Sequence, residues 1–422
     1  MINAVTSPLF SIVIPTRQRH ETLEWSLRTC LDQSFDDYQI VVCDNCSSPE
    51  TAEVVKSLQS DRIRYVRAPE PLAMVDNWNL AVSNVDGEYV ILIGDDDGIL
   101  PHALRDLAHI IRQTRVPAIR WPTASYFWPG MPPDVEHVVS LPVGTRPQTI
   151  DGQAMVKSVM AGHADRNMLP MLYNAAIHRS LLEDLQKQTG TVFAACNPDI
   201  YSGLAFALLA GEFVSTQRVL SINATSAKSN GYAHFYKDKQ SSIASEFDTL
   251  SKQSDYSWPE TVPYLGLNSA CAFEAYTRIC SNLYPNGGQP HFTQRQMITT
   301  ILQDYRLTRT LPQKSVQHEI EKTVSDSATR HWLQKQFDTL KPVDDSQSNT
   351  EADREKLLGC SGSRLRLDGS KFKTANVLDA CQLCNDLLSY DQPLKEHYPR
   401  ESRARRFVED SKRLVQRVLK HA

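Results

Sequence analysis

The chain has 422 residues, 41% of them hydrophobic, and a formal net charge of -4. That length allows two or three domains with a sizeable core, and the near-neutral charge gives no global reason to expect nucleic acid as a partner. Nine cysteines and a start without a basic segment ahead of an apolar one point to reduced thiols in the cytoplasm, and no run approaches the roughly 18 apolar residues of a membrane-spanning helix, so membrane contact must be peripheral.

Phe10-Ser11-Ile12-Val13-Ile14-Pro15 is a short β-branched run closed by proline, which predicts a buried first strand with Thr16 and Arg17 at its exit. Leu23, Leu27, Cys30 and Leu31 recur at helical spacing between His20 and Gln33. A second strand, Tyr38 to Cys43, ends at Asp44 and Asn45. A helix from Pro49 to Ser60, a strand from Arg62 to Arg67 and a helix from Met74 to Asn84 follow. Such alternation predicts a parallel sheet with right-handed crossovers and helices on both faces.

The fourth strand then runs into Val90-Ile91-Leu92-Ile93-Gly94-Asp95-Asp96-Asp97-Gly98-Ile99-Leu100-Pro101. Ligands of open α/β sheets sit at the carboxyl ends of strands, which is where these three carboxylates fall. Their mutual repulsion raises at least one pKa unless a cation neutralises them, and an all-oxygen set suits Mg²⁺ or Mn²⁺ better than zinc. Helix capping ahead of Pro101 is the plainer reading, but a cap needs one aspartate. Neither a Gly-x-Gly-x-x-Gly after the first strand nor a Gly-x-x-x-x-Gly-Lys occurs, which weakens dehydrogenase and P-loop readings.

Four motifs in this order, Ser11-Ile12-Val13-Ile14-Pro15-Thr16-Arg17, Ile40-Val41-Val42-Cys43-Asp44-Asn45, Asp86-Gly87-Glu88-Tyr89-Val90 and Gly94-Asp95-Asp96-Asp97, resemble the family 2 glycosyltransferases of GT-A fold. The likeness covers about the first half of the chain. It implies that Asp95 and Asp97, matching the family's Asp-x-Asp pair, meet the sugar or ribose and the metal of a nucleotide sugar. It also implies that Asp44 contacts the base and that Thr16 and Arg17 line the same pocket. One departure stands out: Val75-Asp76-Asn77-Trp78 occupies the place of an Ala-Arg-Asn-like segment that many relatives use as a basic contact.

After Thr114 the alternation breaks. Ala118 to Trp121 reads as a strand, and the prolines from Pro122 to Pro142 among Tyr126, Phe127 and Trp128 predict an irregular excursion up to Arg146, with the aromatic residues mainly in local core. A helix from Ile150 to Met160, an extended segment from Leu169 to Tyr173 and a helix from Ser180 to Gln188 are expected. Ile200, Leu204, Ala207 and Leu208 mark a helix starting near Asp199. In the resembled family an aspartate opens such a helix as general base, which makes Asp199 the candidate catalytic residue; a plain N-cap would also explain it, and a helix N-terminus depresses a carboxylate's basicity. Lys228 and His234 fall in a polar stretch that could close over a diphosphate or metal.

Beyond about Gln240 the pattern is helical. Asp344 to Asp353 reads as a linker, and Cys381-Gln382-Leu383-Cys384 lacks the second ligand pair of a zinc site. The tail from Arg400 to Lys420 is a basic amphipathic helix suited to docking on protein or a second subunit, or to an anionic membrane.

The expected architecture is an α/β GT-A-like, mostly parallel sheet domain over 1–240, followed by a mainly α-helical region over 241–422. The expected function is non-processive, inverting transfer from a nucleotide sugar, by family habit a UDP-sugar, to a hydroxyl of a glycan or lipid-linked acceptor. Thr16, Arg17, Asp44, Asn45, Asp95, Asp96 and Lys228 would bind the donor, Asp95, Asp97 and His234 a Mn²⁺ or Mg²⁺ ion, and Asp199 would be the base. Two rivals are a nucleotidyltransferase, which the missing glycine-rich basic loop disfavours, and a scaffold that has kept the fold without the chemistry.

Overall fold

The computed structural model describes residues 7–229, 245–246, 249–251, 257–287, 291–308, 311–339, 355, 357–388, 394, 396 and 398. His234, the Asp344 to Asp353 stretch and the 400–420 helix lie outside the described residues.

The first seven elements follow the predicted alternation: β1 (Phe10–Thr16), α1 (His20–Leu31), β2 (Tyr38–Asp44), α2 (Pro49–Ser57), β3 (Ile63–Arg67), α3 (Met74–Val82) and β4 (Tyr89–Leu92). β1 pairs in parallel with β2 and β4, and β2 with β3. Alternate residues of these strands enter opposite cores, as period-two geometry requires. Val13, Val41, Val90 and Leu92 pack on one side with α3. Ile12, Ile14, Ile40, Val42 and Ile91 pack on the other against α1 and α4 (Ala103–Thr114).

Later elements complete the sheet: β6 (Ala118–Arg120), β9 (Gln148–Asp151), α5 (Gly152–Met160), β10 (Ala175–His178), α6 (Arg179–Thr189), α7 (Pro198–Ala210) and β11 (Glu212–Ser215). The strand order is β3-β2-β1-β4-β10-β6-β11-β9. β10 is antiparallel to both β4 and β6, so Ala175 and Arg120 stand at the same edge as the carboxyl end of β4. Of the segment from Leu169 to Tyr173, Leu169 and Met171 are extended as expected, between two short 3-10 turns, Arg166–Met168 and Leu172–Asn174, the second of which takes in Leu172 and Tyr173. Pro170 falls between them and supplies no backbone donor.

The excursion from Pro122 to Arg146 is not irregular. It holds β7 (Ala124–Phe127) and β8 (Val138–Pro142), which join a second sheet with β5 (Gly98–Ile99), β12 (Ser221–Thr225), β13 (Gly359–Ser361) and β14 (Arg364–Asp368), in the order β13-β14-β8-β7-β12-β5. The prolines sit between the strands or at their ends, where a missing N–H is tolerated, and Tyr126 and Trp128 are buried in that sheet's core as expected.

The region after 240 contributes more than helices. Four helices, α8 (Asn268–Leu283), α9 (Gln294–Thr308), α10 (Gln313–Thr323) and α11 (Ser327–Asp338), extend the core beneath α5 and α7. β14 then pairs antiparallel with β8, and α12 (Val377–Leu388) packs on α1, β5 and β12. Cys381 and Cys384 lie in this third core, where burial raises both thiol pKa values and keeps them protonated. That is packing, not a zinc site. A Cβ added at Gly98 would come within 2.6 Å of Cys381 Sγ, so glycine permits this approach.

Candidate active site

The acidic loop is built by its neighbours. After β4, Ile93 N–H still donates to Val13 O at 3.0 Å, and the chain then turns so that Asp97 N–H donates back to Gly94 O at 3.2 Å. Ser26 Oγ, projecting from α1, donates to Asp97 O at 2.7 Å. Trp128 Nε1 donates to Asp96 O at 2.9 Å from the far side. None of the three carboxylates caps α4, whose N-cap is His102 without a side-chain cap.

Each carboxylate has a distinct set of partners. Asp95 accepts from Thr16 Oγ1 at 2.6 Å, and its Oδ1 lies 2.8 Å from the Arg19 guanidinium. Asp96 receives Arg19 at 3.2 Å, Ser226 Oγ at 2.7 Å and Ser229 Oγ at 2.5 Å on one oxygen. Asp97 spends one oxygen on Gly94 N–H at 2.7 Å and the other on Ala224 N–H at 2.8 Å, stitching β4 to β12.

Three buried carboxylates share one guanidinium. Burial, with Asp96's charge added, pushes Asp97 up to about 8. Burial also pushes Asp95 to about 6 despite the opposing pull of Arg19. For Arg19, burial works to lower its pKa, but the charges of Asp95 and Asp96 outweigh it and raise it. The repulsion read from the sequence is therefore present, and Arg19 is a partial counter-ion that sequence reading missed in favour of its neighbour Arg17.

Arg17 turns away from the acidic loop. It donates to Asn45 O at 2.5 Å and pairs with Glu246, tying together the exits of β1 and β2. Asp44 is fully buried and accepts from Ser47 N–H at 2.9 Å, Tyr65 Oη at 2.5 Å and Arg67 at 2.6 Å. Asn45 spans the gap to Leu72, accepting its N–H at 2.7 Å and donating to its carbonyl at 2.9 Å. These two therefore stand at the β2 exit with these bonds already made. Lys228 stands at the rim, half-exposed, paired to Glu21 at 2.9 Å.

Asp199 lies in the first turn of α7, half-buried. Its pKa is raised, because burial outweighs Arg166 and the helix's own N–H groups. This reverses the weakening expected from its place at a helix start. Tyr173 links it to the acidic loop: burial raises the phenol's pKa well above the usual value, and Asp97 and Asp199 raise it further while Arg19 opposes them. Its ring meets Trp78 edge-on at 5.3 Å, and Trp78 is buried. Tyr173 escaped sequence reading because it sits in a 3-10 turn without periodicity.

The oxygen donor set suits a hard divalent cation. Asp95 Oδ1 is buried against the Arg19 guanidinium at 2.8 Å, and Arg19 is the group that an ion binding there would displace. Among the described residues no three His, Cys, Asp or Glu side chains are already gathered around one point.

Residues 11–144 match the sequence model of Glycosyl transferase family 2. This segment is a family 2 glycosyltransferase domain. Over 103 residues it is 35% identical to a GalNAc(5)-diNAcBac-PP-undecaprenol beta-1,3-glucosyltransferase of Campylobacter jejuni, covering 24% of this chain and 33% of that protein. Over 106 residues it is 26% identical to the poly(ribitol-phosphate) beta-N-acetylglucosaminyltransferase TarS of Staphylococcus aureus, covering 24% and 18%. The chain thus spans a third or less of either relative. A crystal structure of S. aureus TarS 1-349 in complex with UDP-GlcNAc aligns with 82% of this chain and 91% of its own, at 16% identity and a TM-score of 0.43. The acidic loop and the β1 and β2 exits all fall inside the glycosyltransferase domain, whereas Tyr173, Asp199 and Ser226 lie beyond the matched residues.

Proposed function

We propose that the protein transfers one sugar per encounter from a nucleotide-sugar donor, a UDP-sugar by family habit, to a hydroxyl of a glycan or lipid-linked acceptor, with inversion. The observation that carries this reading is the excess of buried carboxylate at the carboxyl edge of the sheet in a family 2 domain, with Tyr173 within electrostatic reach of both Asp97 and Asp199 on α7. The Campylobacter relative's name, which specifies glucosyl transfer to an undecaprenol-linked glycan, agrees with a lipid-linked acceptor. The nine cysteines are free, which agrees with a cytoplasmic setting, and no helix among the described residues is long and apolar enough to cross a membrane.

Asp95 and Asp97 would hold a Mn²⁺ or Mg²⁺ ion, with His234 as a third ligand. Bound there, the ion supplies positive charge to the departing diphosphate. This chain's own residues do the rest. Thr16 fixes the orientation of Asp95, Ser226 and Ser229 that of Asp96, and Lys228 adds charge nearby. Asp199 takes the acceptor's proton as its oxygen attacks the anomeric carbon from the face opposite the diphosphate. The raised pKa makes Asp199 a better base than an exposed aspartate.

A transfer assay with a panel of nucleotide sugars and Mn²⁺ tests the reading. Release of one nucleoside diphosphate, with inverted configuration at the product's anomeric centre by NMR and at least a hundredfold loss in Asp199→Asn, on the order of what a general base contributes, is expected. Release that is unchanged in Asp199→Asn removes it from the base role.

A further inference from the structure

β10 runs antiparallel to β4 with Ile177 opposite Val90. The 3-10 turn Leu172–Asn174, just ahead of β10, therefore lies alongside the chain that leaves β4 for the acidic loop. The same turn packs on α7, which carries Asp199. Leu172 N–H donates to Ser202 Oγ at 3.4 Å, and that hydroxyl donates to Asp199 O at 2.7 Å. Gly203 lets the chain ahead of the turn press onto the helix, because a Cβ there would come within 2.5 Å of Met171 Cγ. Asn174 closes the other end of the turn, its carbonyl accepting Trp121 N–H at 2.9 Å and its side-chain amide donating to Asn167 O at 2.9 Å. Tyr173, the middle residue, is thus fixed against β4 and α7 at once.

Its side chain has an anchored ring and an unspent hydroxyl. The ring meets Trp78 edge-on at 5.3 Å, and Trp78 meets Phe193 in the same way at 5.3 Å, so aromatic packing sets its direction. The phenol lies within electrostatic reach of Asp96, Asp97 and Arg19, and also of Asp199. Among the described residues its hydroxyl makes no hydrogen bond, so it stands apart from all four by more than hydrogen-bond distance. Tyrosines kept for structure ordinarily use theirs. Tyr89 Oη donates to Val116 O at 3.0 Å, and Tyr65 Oη to Asp44. Burial and the nearby carboxylates keep the Tyr173 phenol protonated, so it has a proton to donate and no acceptor in the chain.

We propose that Tyr173 Oη donates a hydrogen bond to the sugar of the nucleotide-sugar donor, which makes Tyr173 a residue that reads the sugar rather than the nucleotide. The assignment rests on the transferase reading above. A donor whose diphosphate lies at the acidic loop, and whose anomeric carbon is attacked from the side of Asp199, has its sugar between the two groups that both reach the phenol. The ligand atom is an acceptor oxygen of that sugar, a hydroxyl or an acetamido carbonyl.

Calorimetric titration of the full chain with UDP, UDP-glucose, UDP-N-acetylglucosamine, GDP and GDP-mannose, each with Mn²⁺, tests the assignment. For the nucleotide class that the wild type binds, Tyr173→Phe should weaken the sugar conjugate about three- to tenfold, the worth of one neutral hydrogen bond. Binding of the matching nucleoside diphosphate and the melting temperature should be unchanged, because the ring still packs on Trp78. A tyrosine kept only for packing would leave the ratio of the two affinities where it was. Weakening of conjugate and diphosphate alike, or of neither, overturns the assignment while the transferase reading stands. Should Tyr173→Phe fail to fold, Tyr173→Met, which refills the space with an adaptable apolar side chain, decides by the same ratio. Folded wild-type protein that binds none of the probes overturns the transferase reading and the assignment with it.

Discussion

Two clusters of buried charge in this molecule are constructed on opposite terms. Around Arg218 every ion is matched: Asp106 takes the guanidinium at 2.7 Å and Arg105 at 3.1 Å. Nearby, Glu396 accepts from Thr216 Oγ1, Gln217 N–H and Tyr398 Oη between 2.7 and 3.2 Å. In the acidic loop, three carboxylates that are at most 5% exposed face a single arginine. The first cluster closes α4 and β11 to the C-terminal residues and asks for nothing further. The second keeps a surplus of negative charge out of water, which is stable only with a cation or a proton. The difference is between an ion network whose charges are matched and a loop whose charges are not.

Variants at the two arginines should widen the contrast. Arg218→Met removes the buried partner of Asp106, leaving it only the more exposed Arg105, and should cost about 3–5 kcal/mol in urea unfolding, with no recovery when Mn²⁺ is added. Arg19→Met should cost less, about 1.5–3 kcal/mol, since it removes charged hydrogen bonds from a side chain that water still reaches, and Mn²⁺ should restore part of it. Recovery of both by Mn²⁺, or of neither, would erase the distinction.

Proton linkage sharpens it next. Asp95 and Asp97 hold protons in the folded protein up to about 6 and about 8, whereas an unfolded aspartate titrates near ~4. The folded state therefore binds more protons between these limits, so stability should be fullest below pH ~4 as far as these groups are concerned and fall as pH rises through their folded values. Asp97→Asn should flatten the fall in melting temperature between about pH 4 and 8, the window between the unfolded and folded values of this group. A slope that is the same in the variant would assign the titration elsewhere.

Smaller effects are expected further from the loop. The acidic limb of the transferase pH profile should lie above the ordinary aspartate range because Asp199 is raised by burial, and Arg166→Gln should move it higher still by removing the opposing charge. Trp128→Phe deletes the indole bond to Asp96 O and should cost about 1 kcal/mol in the urea midpoint, leaving the Arg218 cluster untouched.

Much of this was legible in the chain. The strands from Phe10 to Leu92 announce themselves because each is a short apolar run followed by a helical period, and Asp95 to Asp97 stand out because burial and charge abut without a spacer. What could not be read depends on distant partners. Arg19 looks like any loop arginine until the fold brings it to Asp95 and Asp96, more than seventy residues away. Arg120 closes a three-residue strand and reads as an edge, although β10 and β11 flank it on both sides. β7 and β8 hide among prolines that lie between or at the ends of strands, and β13 and β14 are separated from β8 by two hundred residues of chain. Long-range pairing leaves no local trace.

The most direct test of the central claim is calorimetric titration of the intact chain and of Asp97→Asn with a panel of nucleoside diphosphates and their sugars, with and without Mn²⁺. Mn²⁺-dependent binding of one nucleotide class, accompanied by proton release at pH 7 and lost in the variant, is the result predicted for a surplus of protonated carboxylate that receives a cation. Folded wild-type protein that binds none of the panel would contradict the donor site and leave a scaffold that carries the fold without the chemistry.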